Sequence, residues 1–260
     1  MNPLFKHLIF ISMMVCVSSC VTLYKPNSIN SPVLKRQGDL KCSGGLGVSG
    51  SGLLNLQTAY GVTNHVGVML NGMYHSIRTN EDSIYIGKHN QYFGEGGVGY
   101  FSSMGAKKNG VFQCFGGGGI GYTNDYFSQT DENHARSTAT YFNYFIQPGI
   151  AYSNDFVDVS FDIRANDVNI FSIQSTSDFY NDTTFNFINL EPTFTIKAGG
   201  KKLKGFIQTG ITYPIYHPDA YLTSNSFNLF LIGPIFKFSI GLNMTFNLSK
   251  QKTEPTVTPQ

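Results

Sequence analysis

Charge is scarce in this 260-residue chain: Lys, Arg, Asp and Glu make up 13% of it, about half the share usual in soluble domains. Disorder is nonetheless excluded. Chains stay unfolded through high charge and few apolar residues, whereas this one is 41% hydrophobic and holds 22 Phe and 15 Tyr, with no Trp. A net charge of +2 argues against nucleic acid as a partner. No apolar run approaches the roughly twenty residues of a spanning helix. Beyond residue 39 no segment of ten or more residues has a period of 3.6, so crossover helices and the nucleotide-binding βαβ folds are excluded. Gly45-Leu46-Gly47-Val48-Ser49-Gly50 matches the dinucleotide fingerprint only in letters, since no strand–helix unit surrounds it. Gly94, Gly96, Gly97 and Gly99, with the run 116–119 and Gly121, lie in predicted strands and form no phosphate cradle; there they let a small barrel curve and aromatic rings pack close.

What is present begins with an export signal. Lys6 supplies the positive charge, an apolar core of about ten residues follows from residue 8 to 17, and Ser18-Ser19-Cys20 closes it. Val17-Ser18-Ser19-Cys20 resembles a bacterial lipobox, which implies cleavage before a diacylated Cys20 as the mature N-terminus. The alternative is a plain secretory peptide. Of the four cysteines, Cys16 leaves with the signal and Cys20 takes the lipid. Cys42 and Cys114 fall in the predicted first and fifth strands and read as free thiols on apolar faces. No cysteine or histidine spacing fits a metal site, and no cofactor is predicted.

The mature chain divides into three parts. Residues 20–38 are the lipidated N-terminus and an extended tether, with Pro26, Pro32 and scattered Asn and Ser; residues 39–248 are an all-β domain; residues 249–260 are a polar tail. In the segment 156–164, Val157, Val159, Phe161 and Ile163 alternate with Asp158, Ser160, Asp162 and Arg164, so one face is apolar and the other bears three charges. The segments 141–152, 186–198 and 236–246 follow the same rule. About ten strands are predicted, near 39–48, 53–62, 65–75, 91–102, 110–123, 139–152, 156–166, 185–198, 204–216 and 228–247. Connections at 62–65, 102–110, 153–155 and 199–204 are short, and those at 76–90, 124–137, 167–184 and 217–227 are long; the hairpin through Gly50-Ser51-Gly52 is the exception. An even strand number with this alternation predicts a single up-and-down antiparallel transmembrane β-barrel, with short periplasmic turns and longer extracellular loops.

Alternation alone does not separate a membrane barrel from a soluble one. Strand length, low charge, the export signal and aromatic residues near strand ends (Tyr60, Tyr74, Tyr100, Tyr122, Tyr152, Tyr213) favour the membrane. The chain thus resembles the outer-membrane β-barrel proteins of Gram-negative bacteria, in a lipoprotein-like version similar to uncharacterised Bacteroidota proteins. The resemblance covers about residues 39–248 and is most local in Ser239-Ile240-Gly241-Leu242-Asn243-Met244-Thr245-Phe246, similar to the closing-strand signal. It implies outer-membrane lipid and, during biogenesis, the barrel-assembly machinery as partners. The chain departs from the family by continuing past Phe246. A surface-export motif of acidic residues after the lipidated cysteine is missing, which places the lipid in the periplasmic leaflet. The long connections hold acids such as Glu81, Asp82, Asp125 and Asp167, and the short turns Lys107, Lys108, Lys201, Lys202 and Lys204; these read as solvated charge, or as sites for cationic solutes and anionic headgroups.

With apolar faces outward, Glu95, Asp158, Asp162, Arg164, Glu191, Lys197 and Lys237, with Gln113, Gln147 and Gln208, face the lumen. Both signs are present, so a paired network is expected, with Arg164 and Glu191 on neighbouring strands. Ten strands lie near the closed end of the barrel range, and a mostly occluded interior follows. Outer-membrane proteases of ten strands carry Asp and His at the rim, but Asp131, His134, His217 and Asp219 do not match their spacing. Catalysis is therefore not indicated. The expected role is structural, adhesive or ligand-binding through the loops, for a small solute or surface ligand not named by the sequence. The alternatives are a small passive channel and a lipid-tethered, soluble, lipocalin-like binder.

Overall fold

A computed structural model describes residues 25–48, 54–81, 85–130, 133–175, 185–216 and 235–248. Ten strands follow one another: β1 (Asp39–Val48), β2 (Leu54–Gly61), β3 (Val66–Glu81), β4 (Tyr85–Met104), β5 (Gly110–Thr130), β6 (Asn133–Ser153), β7 (Val157–Ser175), β8 (Phe185–Gly199), β9 (Leu203–Tyr216) and β10 (Ile235–Asn247). Every neighbouring pair is antiparallel, and β1 closes on β10 from Asp39 opposite Asn247 to Val48 opposite Phe238. The barrel therefore has no free edge to pair with a stranger.

The alternation decides which face is which. Leu56, Leu70, Val98, Ile120, Tyr144, Ile146, Ile150, Ile207 and Leu242 all point outward and are at least half exposed, while their strand neighbours point inward. This belt encircles the barrel, far beyond the few hundred Å² of apolar patch a soluble monomer tolerates. Tyr74, Tyr92 and Tyr122 stand side by side in register at one border of it. Tyr100, Tyr152, Phe156 and Phe246, all outward, mark the other. From Phe142 to Tyr152 on β6 is ten residues, about 33 Å of strand and, at a tilt near 40°, about 25 Å of height, the thickness of the lipid-facing band in such barrels. The fold is a transmembrane β-barrel.

Two features differ from the sequence expectation. The long connections at 76–90 and 124–137 are largely ladder: β3 and β4 stay paired out to Glu81 opposite Tyr85, and β5 and β6 to Thr130 opposite Asn133. The physical reason is that above the lipid no apolar outer face is required, so alternation disappears from the sequence while the backbone hydrogen bonds continue. The described part of the closing strand is Ile235–Asn247, and residues 228–234 of the expected strand lie outside the described residues. Glycine is required where strands crowd: a Cβ on Gly117 would collide with the backbone of Gly96 and Gly97, and one on Gly121 with the ring of Tyr141. Cys42 and Cys114 are free and half-buried.

The larger difference lies inside. Ordered packing is not confined to the part beyond Asp39: the described residues from 25 onward, read as a tether, run through the lumen. Pro26 to Leu34 are all buried. Arg36 to Gly38 then turn the chain into β1, with Gly38 at φ 82° and its N–H donating to the Gly61 carbonyl at 2.8 Å.

Candidate functional site: the plugged lumen

The inner wall is laid down by period-2 alternation from every strand, and it stacks in layers read from the register. His75 and Gln91 face each other one inward step below His89, Met73 and Phe93 lie one step further down, and Asn71 and Glu95 below those. The Met73 layer is apolar and includes Tyr141, Val168, Ile170 and Phe187. A second apolar layer, Met69, Phe101, Phe115 and Phe145, closes around Leu34 of the inner segment. Between them lie Asn71 and Glu95.

All seven predicted lumen charges are buried: Asp162, Arg164 and Glu191 at 0%, Glu95, Asp158 and Lys237 at 2%, and Lys197 at 5% exposure. Their pairing differs from the expected one. Arg164 does not join its register neighbour Glu191; its Nη1 crosses the lumen from β7 to β4 and donates to both Glu95 oxygens at 3.0 and 3.1 Å. Its Nε and Nη2 donate to Gln147 Oε1, and the guanidinium lies 4.3 Å over the Phe145 ring. Inward side chains of a closed barrel converge toward its axis, so a long one such as Arg164 can reach a partner on a distant strand as readily as its register neighbour. Glu191 accepts instead from Lys237 at 2.8 Å. Asp158 accepts from Lys204 at 2.8 Å. Lys204, assigned by sequence to a solvated basic turn, is therefore a lumen cation. Asp125, assigned to an acidic loop, is likewise buried and pairs with His89. Lys201 does stay exposed, beside Asp155 at 3.5 Å.

The inner segment meets this wall almost entirely through neutral groups. Lys25 N–H donates to Gln91 Oε1 at 3.2 Å, the Gln91 amide returns a bond to Lys25 O, and Lys25 Nζ lies 3.1 Å from His75 Nε2. Asn27 donates to Glu95; Ser28 N–H to Asn55; Ile29 exchanges backbone bonds with Gln208; Asn30 donates to Asn71 at 2.7 Å. Ser31 Oγ donates to Asp162 at 2.5 Å while its carbonyl accepts from Lys197 at 2.6 Å. Val33, held at a left-handed φ of 54°, donates its N–H to Gln113. That conformation is costly for a β-branched residue and persists only where surroundings over-determine it. At the short-turn mouth Lys35 Nζ donates to the Ser153 carbonyl, and burial lowers its pKa from the ordinary value, opposed by the charge of Asp158.

The buried segment, hydrogen-bonded to several strands of the wall, closes the lumen. Among the described residues no group of three or more His, Cys, Asp or Glu could hold a metal ion. Two sizeable concavities lie instead on the lipid-facing wall, one of about 530 Å³ bounded by Leu54, Leu56, Tyr74, Tyr92 and Ile120, the other of about 760 Å³ around Gly44, Leu46, Ile207 and Leu242. Cys20, Asp131, His217 and Asp219 lie outside the described residues, and the backbone of His134 pairs with Ser128 in the β5–β6 ladder. Sequence reasoning missed the inner segment although a signal was present. From Pro26 to Leu34 it has no charge and five apolar or proline residues among Asn and Ser, whereas a solvated tether is normally charged or flexible.

Fold and lumen together define a class, closed transmembrane β-barrels whose polar interior is filled by their own N-terminal segment. Among solved structures the chain is similar to Acinetobacter baumannii CarO2, at 10% identity over 80% of this chain and 98% of that one with a TM-score of 0.28. It is also similar to Acinetobacter baumannii CarO, at 10% identity over 84% and 100% with a TM-score of 0.27. Likeness at that level carries nothing about activity or ligand. No protein-family model matches the chain, and no curated protein matches it in sequence.

Proposed function

We propose that this chain is a non-enzymatic outer-membrane β-barrel lipoprotein, lipidated at Cys20, with a closed lumen and a structural, adhesive or ligand-binding role carried by its long-connection face. The observation that carries the reading is the filling of a polar, ion-paired lumen by residues 26–34. An export signal followed by a strand-built, lipid-facing wall fits the outer membrane, since a closed barrel satisfies every backbone group without a helix. The long-connection face fits a platform for a small solute or surface ligand: β5 runs eight residues past Tyr122, roughly 26 Å of hydrogen-bonded strand above the lipid border. Strand β10, with Gly241 and alternate apolar residues up to Phe246, is the element offered to the barrel-assembly machinery.

A passive channel is the second reading, favoured by the polar inner wall itself. Planar-bilayer recording of the full-length protein separates the two. The closed reading expects a silent membrane; sustained conductance steps that change in Asp158→Ala or Arg164→Ala would replace it with the channel.

A further inference from the structure

The direction of the inner segment fixes the side of the membrane on which the mature chain begins. Lys25 is held at the level of His75 and Gln91, one residue beyond Tyr74 and Tyr92 at the long-connection border of the lipid belt. From there the chain descends, through Asn27 at Glu95, Ser31 at Asp162 and Val33 at Gln113, and reaches the short-turn end at Gly38. It therefore enters the barrel from the long-connection face.

We propose that the lipidated N-terminus lies on the long-connection face, and that the acyl chains of Cys20 enter the outer leaflet from outside rather than the periplasmic leaflet. The proposal rests on the lipoprotein reading and on the orientation given above. Five residue steps separate Cys20 from Lys25, a reach of at most about 18 Å. The short-turn border is farther: from His75 to Val66 on β3 is nine residues, about 30 Å of strand and roughly 23 Å of height. The lumen between is already occupied by Pro26 to Leu34. The near leaflet, in contrast, begins one residue from Lys25.

Among the described residues the wall is lowest at β2. β2 starts at Leu54, which pairs with Tyr74 at the lipid border, whereas β4, β5 and β6 continue paired well above that level. Ser28 N–H donates to Asn55 of β2, three residues inward of Lys25, whose own partners His75 and Gln91 lie on the neighbouring β3 and β4. On the outer wall beside β2 is the apolar concavity bounded by Leu54, Leu56, Tyr74 and Tyr92.

The test uses the full chain in the outer membrane of intact cells, with Cys42→Ala and Cys114→Ala as background. Thr22→Cys is compared with Ser224→Cys in the connection 217–234 and Lys107→Cys in the turn after β4, each probed with a membrane-impermeant maleimide before and after permeabilisation. The expected result is full labelling of Thr22→Cys and Ser224→Cys on intact cells, with Lys107→Cys labelled only after permeabilisation. Uptake of labelled palmitate by the parent and its loss in Cys20→Ser complete the expectation. If palmitate is taken up but Thr22→Cys labels only with Lys107→Cys, the lipoprotein reading survives and the outer-leaflet placement is overturned. If the parent takes up no palmitate, the reading of Cys20 fails and the lipid placement falls with it, whichever face Thr22→Cys reports.

Discussion

Glu95, Asp158 and Glu191 on the inner wall each meet a cation from another strand, whereas the plug from Pro26 to Leu34 has no charged side chain and is held by amides, hydroxyls and backbone groups. Both are buried, so the difference is one of dependence. The wall's ion pairs join strands to each other: Arg164 ties β7 to β4, Lys237 ties β10 to β8, and Lys204 ties β9 to β7. A buried pair contributes modestly in itself, but its disruption is severe because the survivor is left uncompensated in a poor solvent. The plug's hydrogen bonds contribute about 1 kcal/mol each and can be weakened singly without charging the interior. The plug meets charged wall groups at Asn27, which donates to Glu95, and at Ser31, whose hydroxyl bonds Asp162 and whose carbonyl bonds Lys197. A barrel built this way keeps its strands locked while its filling stays separable.

The sharpest way to break that comparison is to unpair the wall. Arg164→Met leaves Glu95 buried without its cation and should cost about 3–5 kcal/mol, read as a large fall in the temperature at which the fast-migrating folded band converts on a denaturing gel. Arg164→Met with Glu95→Gln should recover most of that loss. Recovery distinguishes an unpaired charge from lost packing over Phe145, which the double variant would not restore. The same residue type can then be placed on the other side of the wall. Ile146 faces outward, 55% exposed, at mid-height of the belt, and Ile146→Arg should cost about 2–4 kcal/mol in lipid or detergent. In a soluble barrel that substitution would be close to neutral, so an unchanged conversion temperature would reverse the orientation of every strand.

Where lipid and lumen impose opposite demands on successive residues, the sequence was legible. Asp158, Asp162 and Arg164 against Val157, Phe161 and Ile163 identify β7 and its inner face, and the same reasoning brings all seven lumen charges inside. Legibility failed where one demand was missing. Above the lipid, residues 76–81 and 124–130 need no apolar outer side, and strands there looked like loops. Pairing partners were also unreadable, because Arg164 reaches Glu95 across the axis, a distance set by barrel closure and not by neighbouring register. Val168, Ile170 and Phe187 face inward despite being apolar, filling a layer that only the assembled lumen defines. The plug has no period at all, since each of its groups is matched to a different strand: Asn30 to β3, Ser31 to β7, Val33 to β5.

The smallest effect sharpens the comparison most. Ser31→Ala removes a hydroxyl that bonds both Ser160 and Asp162 while leaving the backbone contact with Lys197 in place. Asp162 keeps the amide of Gln113 at 2.8 Å, so the wall loses little and the conversion temperature should move only slightly. The plug loses a bond to a charged group, about 1.5–3 kcal/mol, which corresponds to a rise of roughly ten- to a hundred-fold in the fraction of time the lumen is vacated. In planar bilayers this predicts brief openings in Ser31→Ala where the parent is silent, and the same change in the background of Arg164→Met with Glu95→Gln should add independently of the wall. Openings accompanied by an equal loss of barrel stability would mean that plug and wall unfold as one unit, and the separation argued from their different bonding would not hold.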